Sequence, residues 1–482
     1  MAFETYDKIL DVCKRRGIVY PSFEIYGGLG GFIDYGPVGS RIKQNVEDLL
    51  RRHYVVGDGC FEVQCPTMSP EEIWVASGHV KGFADLLVEC KKCSEGYRAD
   101  KLLSEVGVEA EGKPAEEVGR LIREKGVVCP SCKGTLSEPY TYNLMFGTTV
   151  GTGSKRKTAY MRPETAQTTY LAFRRLWEFA RRRLPFGVIQ IGRSFRNEIS
   201  PRQGMIRLRE FSQAEIQYFM DPENKTSPRF GEVSGRGVRL TDKNGKLWET
   251  TIGEAHAAGV IPLQFIAYQL GKAMAVFEDM GVDGGRLQLR QHREDERAFY
   301  SSDTWDVEYV SDVFGRIELV GIADRSGYDL GQHMKASRED MQVSMDGRKF
   351  VPHVVEVAYG IDRPIYCVLE SCLVEDGERS YFRFPKRTAP YLAGVFSLVK
   401  KDGIDGKAEE VFALLRDAGL YVFVDHAGSI GKRYARADEI GVPYSVTVDY
   451  DTMKDGTVTV RERDSRSQTR VAITELRARL TG

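Results

Sequence analysis

Between Gly187 and Phe219 the chain alternates. Ile189, Ile191 and Phe195 fall on one side of an extended strand, and Gln190, Ser194, Arg196 and Glu198 on the other. Beyond a loop containing Pro201 and Gly204, Leu208, Ala214, Ile216 and Tyr218 take one side. Arg207, Arg209, Phe211, Gln213 and Glu215 take the other. Period two on both flanks of a turn predicts a long antiparallel hairpin with an apolar face packed inward. Elsewhere the pattern predicts helices over 1–17, 38–54 and 261–280, and a strand over 61–65. A further helix begins at Ser69-Pro70, where proline and two glutamates suit a first turn. RPETAQ (162–167) opens another, which runs on through TTYLAFRRLWEFARRRL to the hairpin. VRLTDKNGKLWETT turns back at Asn244-Gly245. Residues 316–330 begin as a strand, and 352–370 read as strand, tight turn at Gly360, then helix. From about Thr388 strands and helices alternate, which predicts a small α/β layer.

The polar face of the hairpin carries arginines, carboxylates and one ring on a rigid support. Guanidinium forks match phosphate oxygens, a ring stacks on a base, and a carboxylate accepts from an exocyclic amine. The set suits a nucleoside triphosphate held without a glycine-rich phosphate loop. A solvated face with cross-strand ion pairs is the alternative reading. GGLGGFIDYGPVG (27–39) lacks a strand–turn–helix setting and is not read as a phosphate cradle.

Composition acts mainly by exclusion. A chain of 482 residues exceeds one core, so two or more domains are expected. No run of 18 apolar residues exists, and the first helix is amphipathic rather than a signal peptide, so a cytoplasmic protein without membrane contact is expected. The net charge of −1 argues against bulk electrostatic binding of nucleic acid. An RNA partner would need local patches: 174–183, the loop with Arg202, Arg207 and Arg209, or the tail from Arg461 to Arg479. For the tail a solvated face is the preferred reading. Of nine cysteines, Cys13, Cys60, Cys65, Cys367 and Cys372 read as buried thiols. Cys90, Cys93, Cys129 and Cys132 form two CxxC knuckles around a helix expected over 114–125, which suits one tetrahedral zinc ion. A redox CxxC pair is the runner-up.

FRNE (195–198) followed by REF (209–211) resembles the second signature of class II aminoacyl-tRNA synthetases. RPETAQ and EFSQAEIQYF (210–219) are similar to the glycyl-tRNA synthetases of archaea and eukaryotes, and the likeness runs over nearly the whole chain. It implies an α+β fold: an antiparallel-sheet catalytic domain over 1–387, interrupted by a zinc-knuckle insertion at about 86–144 and a second insertion at about 222–300, then an α/β anticodon-binding domain over 388–482. The role of the second insertion is not legible; its position makes the acceptor arm of tRNA a candidate contact. Residues 38–65 resemble the first class II motif, which implies a homodimer. The implied reaction joins glycine to tRNA(Gly) at the expense of ATP, with magnesium bound to the nucleotide.

The resemblance also implies site residues. Arg196, Asn197, Glu198, Ile206, Arg207, Leu208, Arg209, Glu210, Phe211, Glu318, Leu319, Gly360 and Arg363 would hold ATP. Glycine would meet Arg98, Glu164, Phe211, Gln213, Glu215, Arg325, Glu356, Ala358 and Gly360. Arg196, Arg363 and Glu318 would act in catalysis, Glu318 as a magnesium ligand. Three positions depart from the family: Lys101 and Phe299 stand where histidines are usual, and Val357-Ala358 where Pro-Ser is usual. The rivals are a threonyl, prolyl or histidyl specificity on the same scaffold, against which RPETAQ and AEIQYF weigh, and an inactive synthetase-like binding protein, which would be expected to have lost Arg196, Glu198 or Arg363.

Overall fold

The computed structural model describes residues 2–201, 204–298, 301–377 and 379–482. Arg202 and Phe299 therefore lie outside the described residues. The predicted hairpin is present. Phe186–Phe195 pairs antiparallel with Glu210–Met220, and Gln190 faces Glu215, Gly192 faces Gln213 and Ser194 faces Phe211. The alternation puts Gln190, Ser194, Phe211, Gln213 and Glu215 on one face, whereas Arg196, Glu198, Arg207 and Arg209 fall in the loop beyond the paired residues, where the period-two pattern no longer holds.

This hairpin lies within a nine-stranded sheet. Its order is Leu247–Thr251, Gly237–Thr241, Leu287–Gln291, Asp303–Ser311, Gly315–Ser326, His353–Gly360, Glu210–Met220, Phe186–Phe195, Phe61–Glu62. Neighbours are antiparallel except at Phe61–Glu62 and between Gly237–Thr241 and Leu287–Gln291. The predicted strand over 61–65 is only two residues long, at the sheet edge.

Two features differ from the simplest reading of the pattern. Residues 222–300, expected as a second insertion, contribute to this sheet. Their strands form one end of it, and Gln264–Met280 packs beneath with Phe265, Ile266, Leu270, Val276 and Phe277 buried. That helix is largely core, with Gln264, Ala275, Glu278 and Asp279 its less buried positions. Its composition explains this: it is apolar nearly all round. Second, RPETAQ does not open one long helix. Glu164 precedes it, and the helical run splits into Ala166–Leu171 and Phe173–Phe179 at Ala172. The polar face of the first helix is consumed by the sheet: Gln190 Nε2 donates to the Thr165 carbonyl at 2.9 Å and to Thr169 Oγ1 at 2.9 Å.

The knuckle segment forms its own small sheet, Ala84–Glu89 between Gly96–Arg98 and Tyr140–Asn143, with the helix Ala115–Glu124 packed on it. The C-terminal layer has five strands in the order Val422–Val424, Ala393–Ser397, Tyr444–Val448, Thr457–Glu462, Gln468–Ala472. The last strand, with Arg470 at its centre, is not predicted by the pattern. The arginines of this segment are paired. Arg461 binds Asp438, Arg466 binds Asp376, Arg470 binds Asp449 and Arg479 binds Glu462. Among the described residues no helix is long and apolar enough to cross a membrane.

Candidate functional site

A cavity of about 320 Å³ opens on the polar face of the hairpin. Its floor is the sheet; arginines interleaved with acids gather towards one end, and acids without a lining arginine towards the other. At one end lie Arg196, Glu198, Arg207, Phe211, Glu318 and Arg363; at the other Glu164, Gln213, Glu215, Glu356 and Ala358.

At the first end the arginines are held by backbone oxygens and acids. Arg196 donates from Nε to the Pro163 carbonyl at 3.2 Å, with its guanidinium 5.3 Å from the ring centres of both Phe211 and Phe83. Arg363, in the first turn of Asp362–Cys372, donates to the Ile206 carbonyl at 3.0 Å and lies 3.3 Å from a Glu318 oxygen. Burial would raise the Glu318 carboxyl, but Arg363 and Arg196 outweigh it and lower it. Arg207 and Glu198 meet each other at 2.7 Å. Asp306 faces the same space, pushed up to about 6 by burial and by the Glu318 charge. His292 binds Asp306 at 2.7 Å. Asp306 and Glu318 converge over Gly321, where a Cβ would sit 3.7 Å and 3.8 Å from their oxygens.

At the second end a single guanidinium serves several buried acids. Arg325 meets Asp329 at 2.7 Å and Glu356 at 3.1 Å, and comes within 3.8 Å of Glu164. His79 Nε2 lies 3.5 Å from Glu164, with Ser77 Oγ 2.8 Å from its other ring nitrogen. Burial would raise Glu164, yet His79 and Arg325 more than offset it and hold the carboxyl well below its usual range. Glu356 is raised, by burial first and with the nearby Glu164 charge adding to it, although Arg325 opposes. The Oε1 of Gln213 is buried without a protein partner. One end of the cavity therefore suits a polyphosphate beside an aromatic ring, and the other a small cation.

Two family models match: the tRNA synthetase class II core domain (G, H, P, S and T) over residues 150–233, and the anticodon binding domain over residues 393–482. The chain is 41% identical to a glycine–tRNA ligase of Methanothrix thermoacetophila, over 97% of this chain and 95% of that one. Glycine–tRNA ligases of Methanocaldococcus jannaschii and Pyrococcus horikoshii are each 41% identical, over 99% of this chain and 98% of theirs. The chain belongs to the glycine–tRNA ligase family. Solved structures share its fold at low identity. A prolyl-tRNA synthetase of Giardia lamblia in complex with prolyl-adenylate has a TM-score of 0.60 at 15% identity, over 99% of this chain and 74% of that one. The RNA binding domain of threonyl-tRNA synthetase from Cryptosporidium parvum Iowa II has 0.61 at 16%, over 98% and 96%.

Among the residues expected for a glycine–tRNA ligase, most line the cavity, including Ile206, Leu208, Leu319 and Gly360. Five do not. Asn197 is turned to Tyr142, Arg209 to the carbonyls of Gly30 and Glu198, and Glu210 towards Arg193. Arg98 is engaged by Asp100 at 2.6 Å and Asp85 at 3.3 Å. Arg325 stands behind the acids, fully buried, so its guanidinium supports them rather than facing the cavity.

The sequence reading missed His79, Arg162, Thr165, His292 and Asp306. Asp306 was legible, since Thr304, Asp306 and Glu308 alternate with Trp305, Val307 and Tyr309. His79 carried no local signal. Arg162 is a buried clamp. It donates to the Arg193 carbonyl at 2.8 Å, the Cys65 carbonyl at 3.1 Å and Gln190 Oε1 at 2.9 Å. A Cβ on Gly192 would lie 2.3 Å from its Nη2. Gly192→Ala is therefore expected to destabilise by about 1–3 kcal/mol and to shift the Glu164 loop. A lowered thermal midpoint together with weaker glycine binding checks it.

The four knuckle sulfurs lie within 4.8 Å of one another, Cys90 and Cys132 at 3.4 Å, Cys93 and Cys129 at 3.6 Å. Tetrahedral zinc–thiolate bonds of about 2.3 Å place sulfurs roughly 3.8 Å apart. The group could hold such an ion.

Proposed function

We propose that this chain activates glycine with ATP to glycyl-adenylate and pyrophosphate, and then passes the glycyl group to the 3′ end of tRNA(Gly). The observation that carries this is one cavity with a cationic, ring-bearing end and a carboxylate-walled end, in a chain of this family. The glycine carboxylate attacks the α-phosphorus in line, and pyrophosphate leaves. Arg196, at the arginine-bearing end but bonded to the Pro163 carbonyl next to Glu164, would bind both the attacking carboxylate and the α-phosphate. Phe211 would stack on the adenine with Arg363 across from it. Glu198 would accept the adenine amine, and Arg207 would turn from Glu198 to the outer phosphates. Glu318 and Asp306 would hold magnesium, which when bound neutralises charge on the phosphates. No side-chain nucleophile is required, and the protein's part is positioning and charge compensation.

At the other end Glu164, Glu215 and Glu356 would surround the ammonium. A methyl group on the α-carbon is worth only about 1–3 kcal/mol by contact alone. Selectivity therefore rests on lack of room beside fixed acids. In the family's Pro-Ser position, Ala358 supplies no hydroxyl, and the buried Gln213 Oε1, without a protein partner, is a polar group that would compensate. Amino-acid-dependent pyrophosphate exchange over all twenty amino acids tests this. Exchange with glycine alone supports the reading, and efficient exchange with alanine or serine refutes it.

The reading extends to one structural zinc ion on Cys90, Cys93, Cys129 and Cys132, to a homodimer in the cytoplasm, and to the division at about residue 388. The exposed apolar side chains of Phe23, Ile25 and Tyr26 are a surface a second copy would cover. Purified protein is expected to carry one zinc per chain. Cys129→Ser should lose it and unfold the 84–143 lobe at lower temperature. Metal analysis and limited proteolysis check both.

A further inference from the structure

The acids around the small-cation end outnumber the cations that face them. Glu164, Glu215, Glu356 and Asp329 are all buried. The Arg325 fork is turned to Asp329 and Glu356. Glu164 has His79 as well. Glu215, 3% exposed, is held instead by a neutral group: Thr165 Oγ1 donates to its Oε2 at 2.7 Å. Arg162, the other nearby guanidinium, is spent on the carbonyls of Arg193 and Cys65 and on Gln190. A carboxylate buried with no cation in hydrogen-bond contact is costly, and it takes up a proton where burial and like charges outweigh the more distant Arg162 and Arg325.

We infer that Glu215 holds a proton while the niche is empty and releases it to solvent when an ammonium group enters, so that glycine binds by exchange of a proton for a cation. This rests on the reading of the niche as the glycine site. The carboxyl ionises, its proton goes to bulk water, and the ammonium of glycine keeps all its hydrogens. Burial first, then the charges of Glu356 and Glu164, push Glu215 up to about 8. The charged or titratable groups that face it are thus accounted for: Glu356 from its neighbouring strand, Glu164 and Arg162 from the loop before Ala166, Arg325 from Gly315–Ser326, Asp329 from the helix Tyr328–Ser337, and His79 beyond Glu164.

The consequence is measurable. Below pH 8 each unit of pH should change the apparent affinity for glycine by about tenfold, because one proton is displaced per molecule bound. Glycolate, with a hydroxyl in place of the ammonium, should displace none.

The test is calorimetric titration of glycine into the full chain saturated with α,β-methylene ATP, in buffers of differing ionisation enthalpy. Close to one proton released per site at pH 7, falling towards zero by pH 9, is the expected result. Release should persist in His79→Gln and vanish in Glu215→Gln. No proton release by the wild type at pH 7, or release lost in His79→Gln and kept in Glu215→Gln, overturns the inference. The pH dependence of the wild-type affinity decides the matter even if Glu215→Gln binds too weakly to titrate. A glycine affinity no better than that of glycolate would instead refute the reading of the niche itself.

Discussion

Arg196→Ala is expected to leave a folded protein with almost no glycine-dependent pyrophosphate exchange. The guanidinium is held by the Pro163 carbonyl and flanked by the rings of Phe83 and Phe211, so its removal should leave the packing intact, although Glu318 loses one of the two cations that lower it. Loss of a preorganised donor aimed at developing charge costs on the order of 10²–10³-fold in rate. Because the contact strengthens as the carboxylate meets phosphorus, the fall should appear in kcat more than in KM for ATP. Unchanged circular dichroism with lost exchange is the expected pair of observations; near-wild-type exchange would remove Arg196 from the mechanism.

Glu164→Gln should act on the other substrate. His79 and Arg325 hold this carboxyl well below its usual range, so it is charged throughout the neutral region. Truncating one partner of a buried charge pair costs about 2–5 kcal/mol. KM for glycine is therefore expected to rise by on the order of 10²-fold, with KM for ATP unchanged. The sign of the pH effect follows: Glu164 itself stays charged from pH 6 to pH 9, but loss of its charge lowers the Glu215 carboxyl, so the defect should be smaller at pH 6 than at pH 9. Steady-state exchange with each substrate varied in turn checks this. A parallel rise in KM for ATP would mean that the two ends of the cavity are not separate.

The hairpin was legible because both of its faces are chemically pure. Apolar residues alternate with a polar set, and register then follows from the turn. The helix Gln264–Met280 is legible as a helix, but that the segment 222–300 supplies one end of the sheet is not, since its strands are short and join the sheet through pairing with Asp303–Ser311. The break at Ala172 was hidden because the demand comes from another strand: Gln190 takes up the Thr165 carbonyl and the Thr169 hydroxyl from across the sheet. His79 and Arg325 show the same limit in the site. Neither has a local pattern that distinguishes it. Their roles arise from residues distant in sequence, Glu164 for His79 and Asp329 with Glu356 for Arg325. Resemblance supplies most of the cavity lining; it gives Arg325 to the glycine carboxylate, and the buried guanidinium is bonded to Asp329 and Glu356.

A structure of the protein with glycine and α,β-methylene ATP bound tests the account most directly. The adenine should lie on Phe211, the α-phosphate and the glycine carboxylate should share Arg196, and the ammonium should sit among Glu164, Glu215 and Glu356. Glycine bound elsewhere, or a nucleotide that leaves Arg196 and Phe211 untouched, would contradict it.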